Sequence, residues 1–111
     1  MNLTSQKCVP CQGEEPTLRG KELQKFKASV NPAWELYDDK SKIKREFEFE
    51  DFRRALEFVN KVGELAEEEG HHPNIYLHSY KKVTVELWTH KIHGLHQNDF
   101  ILASKIDSLT K

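Results

Sequence analysis

Two histidines stand side by side at His71 and His72, behind Gly70 and ahead of Pro73 and Asn74. An unperturbed imidazole titrates near pH ~6.5, so it can give and take protons close to neutrality. The pair is therefore a candidate for acid/base chemistry. Gly70 can adopt the left-handed conformation that closes a helix, and Pro73 biases His72 toward extended backbone. Neighbours on an extended segment point to opposite sides, so the two imidazoles are not expected to act as one bidentate unit. A third imidazole, His90, is expected at the end of a strand, on the face that carries Trp88. By itself a His-His pair also fits a surface turn that happens to contain histidine. Six histidines in 111 residues are a modest excess that needs a reason. Cys8 and Cys11 form a C-x-x-C pair, but no second pair follows to complete a zinc site and no βαβ pattern follows to make a thioredoxin-like one. Reduced, non-catalytic thiols are the expectation.

These side chains need elements to hold them. Residues 1–16 carry Pro10, Gly13 and Pro16 without periodicity and read as an irregular arm ahead of a single domain over 17–111. Thr17 is placed to cap a helix over 17–29 with Leu23, Phe26 and Val30 on one face, ended by Asn31 and Pro32. Residues 34–37 read as an aromatic-rich strand, 38–42 as a turn and 43–49 as a second strand. In that strand Ile43, Phe47 and Phe49 point inward and Lys44, Glu46 and Glu48 outward. Asp51 caps the longest helix, 52–69, with Phe52, Ala55, Leu56, Val59, Val62, Gly63 and Ala66 on one stripe. Phe58 and Leu65 lie off that stripe and either widen the core face or meet another subunit. The run Glu67-Glu68-Glu69 sits where the helix dipole disfavours negative charge and reads as a solvated helix end. Strands 74–80 and 82–90 are joined by a short link and should pair antiparallel. In the second, Val83, Val85, Leu87 and Thr89 alternate with polar and aromatic residues. Lys91 opens a loop that reaches Gln97, and a last helix, capped by Asn98 or Asp99, presents Leu102, Ile106 and Leu109. The fold class is α+β: a four-stranded antiparallel sheet with three helices packed on one face, in the order α-β-β-α-β-β-α. An exposed edge strand on such a sheet invites a second subunit.

Composition narrows the function classes. With 37% hydrophobic and 32% charged residues the chain reads as one soluble globular domain. A formal net charge of −1, from 17 basic and 18 acidic residues, gives no electrostatic case for nucleic acid or an anionic membrane. No apolar run approaches the ~20 residues that span a bilayer. The first residues lack the apolar centre of a signal peptide, so a cytoplasmic location is expected.

Spacing then becomes specific. Glu67, His71-His72-Pro73, Tyr80, His90 and Asp99 are separated by three, six, nine and eight residues. This pattern resembles the signature of the pterin-4a-carbinolamine dehydratase family. Cys8-Val9-Pro10-Cys11 resembles one branch of it, and the stretch containing Asn98-Asp99-Phe100-Ile101-Leu102-Ala103 is similar as well. The resemblance covers nearly the whole chain. It implies a metal-free hydro-lyase in tetrahydropterin recycling that dehydrates 4a-hydroxytetrahydropterins to quinonoid dihydropterins, with the pterin as substrate and no cofactor. It implies acid/base roles for His71 and His90 and a pterin-holding role for His72. Glu67, one turn before the pair, can orient a histidine or raise its pKa. Asp99 serves as a helix cap or a ligand contact, and Trp88 walls the pterin ring or belongs to the core. His78, His93 and His96 fall outside the signature and read as surface residues. A homodimer or homotetramer is implied.

Three other readings compete. His71, His72, His90, His93 and His96 hold enough nitrogens for zinc, although no carboxylate and histidine pattern at i, i+4 supports it. Some family members stabilise transcription-factor dimers through a helical face, which makes a protein-binding module the alternative function. An assembly or scaffolding task on the same fold is the third.

Overall fold

A computed structural model describes residues 2–10 and 13–110. Alternation of apolar and polar side chains, broken at Arg45, builds the sheet. β1 (Glu35–Tyr37), β2 (Lys42–Glu48), β3 (Asn74–His78) and β4 (Lys82–Leu87) lie in the order β1-β2-β4-β3, every pair antiparallel. The register sets Ile43 opposite Leu87, Phe47 opposite Val83, and Ile75 opposite Val85. Apart from Arg45, which pairs with Asp107 at 2.7 Å, one face is therefore apolar, and the helices α1 (Gly20–Ala28), α2 (Phe52–Glu69) and α3 (Gln97–Ser108) bury it. The expected α+β order holds. Among the described residues, no helix is long and apolar enough to cross a membrane.

Several boundaries differ from expectation, each for a local reason. α1 starts at Gly20, not Thr17, and Arg19 stands at its N-cap without a side-chain capping bond, its Nε donating to Thr17 Oγ1 at 3.0 Å instead. The Leu18 N–H is already committed to the Leu95 carbonyl at 2.9 Å, which keeps the preceding chain extended, and Gly20 makes the turn into the helix at φ +57°. β3 ends at His78 because Ser79 and Tyr80 both take φ +52° in the hairpin turn, so Tyr80 is not a strand residue. β4 ends at Leu87. Thr89 then bridges to Gly94, and His90 opens a short 3-10 turn, His90–Ile92.

α2 is bounded as expected. The Asp51 side chain accepts from the Arg54 N–H, and Gly70 closes the helix at φ +65°. Its phase is different. Phe58 is core, with ring centroids 4.7 Å from Phe47 and 4.9 Å from Phe49, and Leu65 packs against the core. Phe52 and Leu56, expected on the buried stripe, are 50% and 43% exposed.

α3 is buried on nearly every side. Leu102 and Ile106 face the core as expected, but Phe100, Ile101 and Ala103 are buried too. The cause lies in the arm: residues 3–5 form a 3-10 turn whose Leu3, 2% exposed, covers α3 from the far side. The arm is thus a packed part of the domain. Cys11, and with it the C-x-x-C pairing, lies outside the described residues.

Candidate active site

Three chain reversals and the arm meet at one end of the sheet. The turn after α2 brings Gly70, His71, His72, Pro73 and Asn74; the end of β4 brings Trp88, Thr89, His90 and Lys91; the start of α3 brings Asn98. Together with Val9 and Pro10 of the arm, these residues line an open cavity of about 530 Å³.

His71 is the most constrained of the imidazoles. Its backbone N–H bonds the Ala66 carbonyl as the helix closes, and its Nε2 lies 2.6 Å from Asp99 Oδ1. Asp99 is fully buried. Its second oxygen accepts from the Thr89 hydroxyl at 2.9 Å and from the His96 N–H at 3.0 Å. Donors on every side suit a carboxylate. Nε2 is then the nitrogen placed to carry a proton toward Asp99, and Nδ1 is the one left to exchange a proton. Asp99 does not reach the cavity wall; it stands behind His71. Nor is it the cap of α3. His96 takes that place, its Nδ1 accepting from the Asn98 N–H at 3.0 Å while Asp99 answers from the first turn. His96 is therefore buried rather than on the surface.

His72 is exposed and pairs differently. Its Nε2 lies 2.5 Å from Glu67 Oε2, across the last turn of α2. The two adjacent histidines thus have separate carboxylate partners, one buried and one in solvent. His90 packs against Trp88 with ring centroids 4.4 Å apart and planes tilted by 38°, and the Lys42 ammonium lies 4.2 Å from the centre of the Trp88 ring. Half-buried Trp88 presents a flat aromatic wall. His78 turns away to Thr84 Oγ1 at 2.9 Å, and His93 is exposed in the turn beyond His90. Among the described residues, no group of three or more His, Cys, Asp or Glu side chains is placed to hold a metal ion.

Glu69 shows why an acidic run is tolerated at this helix end. Its side chain is 5% exposed and bonds Lys105 Nζ at 2.8 Å and the Cys8 N–H at 2.9 Å. Burial alone pushes its carboxyl up, but these two bonds and the Lys105 charge outweigh it and hold the group below its ordinary value. The Cys8 thiol is pushed up to about 12, first by burial and then by the Glu69 charge and hydrogen bond. It stays protonated and is a poor nucleophile.

Sequence reasoning missed Asn98, Thr89, Val9 and Pro10. Thr89 carried a weak signal, a hydroxyl at an inward position of a strand. Asn98 carried another, a carboxamide beside Asp99 at a helix start. Val9 and Pro10 carried none beyond lying between the cysteines.

Residues 16–109 match the family model described as pterin 4 alpha carbinolamine dehydratase. A relative from Methylococcus capsulatus, provisionally named as a pterin-4-alpha-carbinolamine dehydratase, is 52% identical over 97% of this chain and 93% of its own. One from Chlorobaculum tepidum with the same provisional name is 49% identical over 96% of each. Among solved structures, a transcriptional coactivator/pterin dehydratase from Brucella melitensis superposes with a TM-score of 0.78 at 28% identity, covering 86% of this chain and 99% of that one. A pterin dehydratase-like protein described as a RuBisCO assembly factor shares the fold alone, with a TM-score of 0.59 at 22% identity over 69% of this chain and 88% of that one.

Proposed function

The chain belongs to the pterin 4 alpha carbinolamine dehydratase family, and from that premise we propose that it removes water from 4a-hydroxytetrahydropterins to give quinonoid dihydropterins. The observation that carries this reading is the gathering of His71, His72 and His90 around one cavity, with buried Asp99 behind the first of them.

The chemistry asks for two proton transfers. Hydroxide leaves poorly, so the C4a oxygen must gain a proton as its bond breaks. The ring N5–H must lose one as the C=N bond forms. The N5 lone pair itself drives the hydroxyl out, so the step calls on no metal and no cofactor. His71 and His90 are the acid/base pair. Asp99 fixes which His71 nitrogen carries the proton and so leaves a defined nitrogen to act. His72, tethered to Glu67, holds the pterin, and Trp88 supports the flat ring. A positioned acid or base supplies about 10²- to 10⁴-fold each.

The deciding experiment is a dehydratase assay on wild type, His71→Ala, His72→Ala and His90→Ala. Expected are losses in kcat of at least about 10²-fold for His71→Ala and His90→Ala, and a raised KM for His72→Ala. Unchanged rates in all three reject the assignment.

A second reading concerns assembly. Phe52 and Leu56 are exposed one turn apart on α2, and such apolar surface fits contact with a second copy of the chain or another protein. A homo-oligomer is the reading adopted.

A further inference from the structure

We propose that Val9 and Pro10 form the subsite for the substituent that pterin substrates carry on the ring carbon beside N5, and that Asn98 positions them there. The inference rests on the dehydratase reading and deepens it.

The arm is built into the cavity wall. The Asn98 carboxamide bonds it in both directions: Oδ1 accepts from the Val9 N–H at 2.9 Å, and Nδ2 donates to the Val9 carbonyl at 2.6 Å. One residue earlier, the Cys8 N–H donates to Glu69 Oε1 at 2.9 Å. Asn98 is 2% exposed, so this clamp belongs to the interior of the domain. Val9 is 47% exposed and lines the cavity with Pro10.

What this wall presents decides what can sit against it. The Val9 peptide N–H and C=O are both engaged, and Pro10 has no N–H. The two residues therefore offer aliphatic surface and no free donor. The acceptors on the pyrimidine edge of a pterin would find no donor there. Its other end carries the side chain, on the carbon bonded directly to N5. Because the imidazoles must reach C4a and N5, that side chain lies beside them, in the cavity that the arm also lines.

The test uses the full chain and two substrates, a 4a-hydroxytetrahydropterin with a methyl side chain and one with a dihydroxypropyl side chain. Wild type is compared with Val9→Ser, Val9→Trp and Asn98→Ala. Val9→Ser is expected to move the kcat/KM ratio toward the dihydroxypropyl substrate and Val9→Trp against it, each by roughly three- to tenfold. The change should fall in KM, with kcat held within about twofold. Asn98→Ala, which releases the arm, should weaken the discrimination between the two substrates. Because Val9 is half-exposed, neither substitution there burdens the core. A ratio unmoved by both Val9 variants, with turnover retained, overturns the subsite and leaves the dehydratase reading standing. A wild type that turns over neither substrate overturns both.

Discussion

Residues 71 and 72 show how one dipeptide can hold two imidazoles in different states of constraint. His71 is backed by a buried carboxylate that accepts from two further donors, Thr89 and the His96 N–H. His72 meets its carboxylate in solvent, where such a contact contributes at most about 1 kcal/mol. Asp99→Asn should therefore cost far more than Glu67→Gln. The carboxamide keeps the shape but can offer its NH2 to His71, which favours the other tautomer. A fall in kcat of about 10²-fold or more is expected, with KM changed little, against less than about tenfold for Glu67→Gln. Steady-state kinetics on the two variants decides it, and equal losses would refute the division of roles. The candidate imidazoles were legible because histidine spacing is written in the sequence. Burial of Asp99 and His96 was not, because it depends on the bonds Asp99 makes to His71 and Thr89, 28 and 10 positions away. Cys8 gives a matching negative expectation. With its thiol raised to about 12, it carries no charge near neutrality. Cys8→Ser should leave the pH profile of kcat in place, and a shifted profile would assign the thiol a part in proton transfer.

Within the elements, α2 shows the limit of periodicity. Apolar residues recur at 52, 55, 56, 58, 59, 62, 65 and 66, an arc wide enough to face the sheet in more than one rotation. The sheet selects the rotation that inserts Phe58 between Phe47 and Phe49 and leaves Phe52 and Leu56 outside. Phe58→Ala should thus cost about 3–5 kcal/mol, whereas Phe52→Ala should change monomer stability by no more than about 0.5 kcal/mol. Urea unfolding measures both, and comparable costs would refute this phase. The turn from 89 to 94 is a second case. Thr89 and Gly94 exchange backbone bonds of 2.8 and 3.4 Å, and this closure sets the position of His90. A Cβ at Gly94 would stand 2.4 Å from Thr17 Cγ2 and 3.0 Å from its Cβ. Gly94→Ala should destabilise by about 1–3 kcal/mol and lower turnover through His90, read as a reduced kcat in protein that remains folded.

Across the whole molecule, element order and sheet pairing were legible because alternation and helical spacing write the core into the chain. The docking of the arm was not. It depends on bonds from Cys8 and Val9 to Glu69 and Asn98, 61 and 89 positions away, which leave no periodic trace. Glu69 is the joint of this long-range order, tying the end of α2 to the arm and, through Lys105, to α3. Folding holds its carboxyl below the ordinary value of 4.5, so the unfolded chain binds its proton first as pH falls. The stabilisation is present above that ordinary value and is lost as pH drops through the lower folded value. Glu69→Gln should therefore reduce stability at pH 7 by about 2 kcal/mol, since a charged acceptor of two hydrogen bonds is lost. The deficit should shrink as the medium is acidified below the ordinary carboxylate range, because wild type loses the same charge. Urea unfolding of both proteins across that range measures the gap. A deficit independent of pH would mean that Glu69 holds the arm by shape rather than by charge.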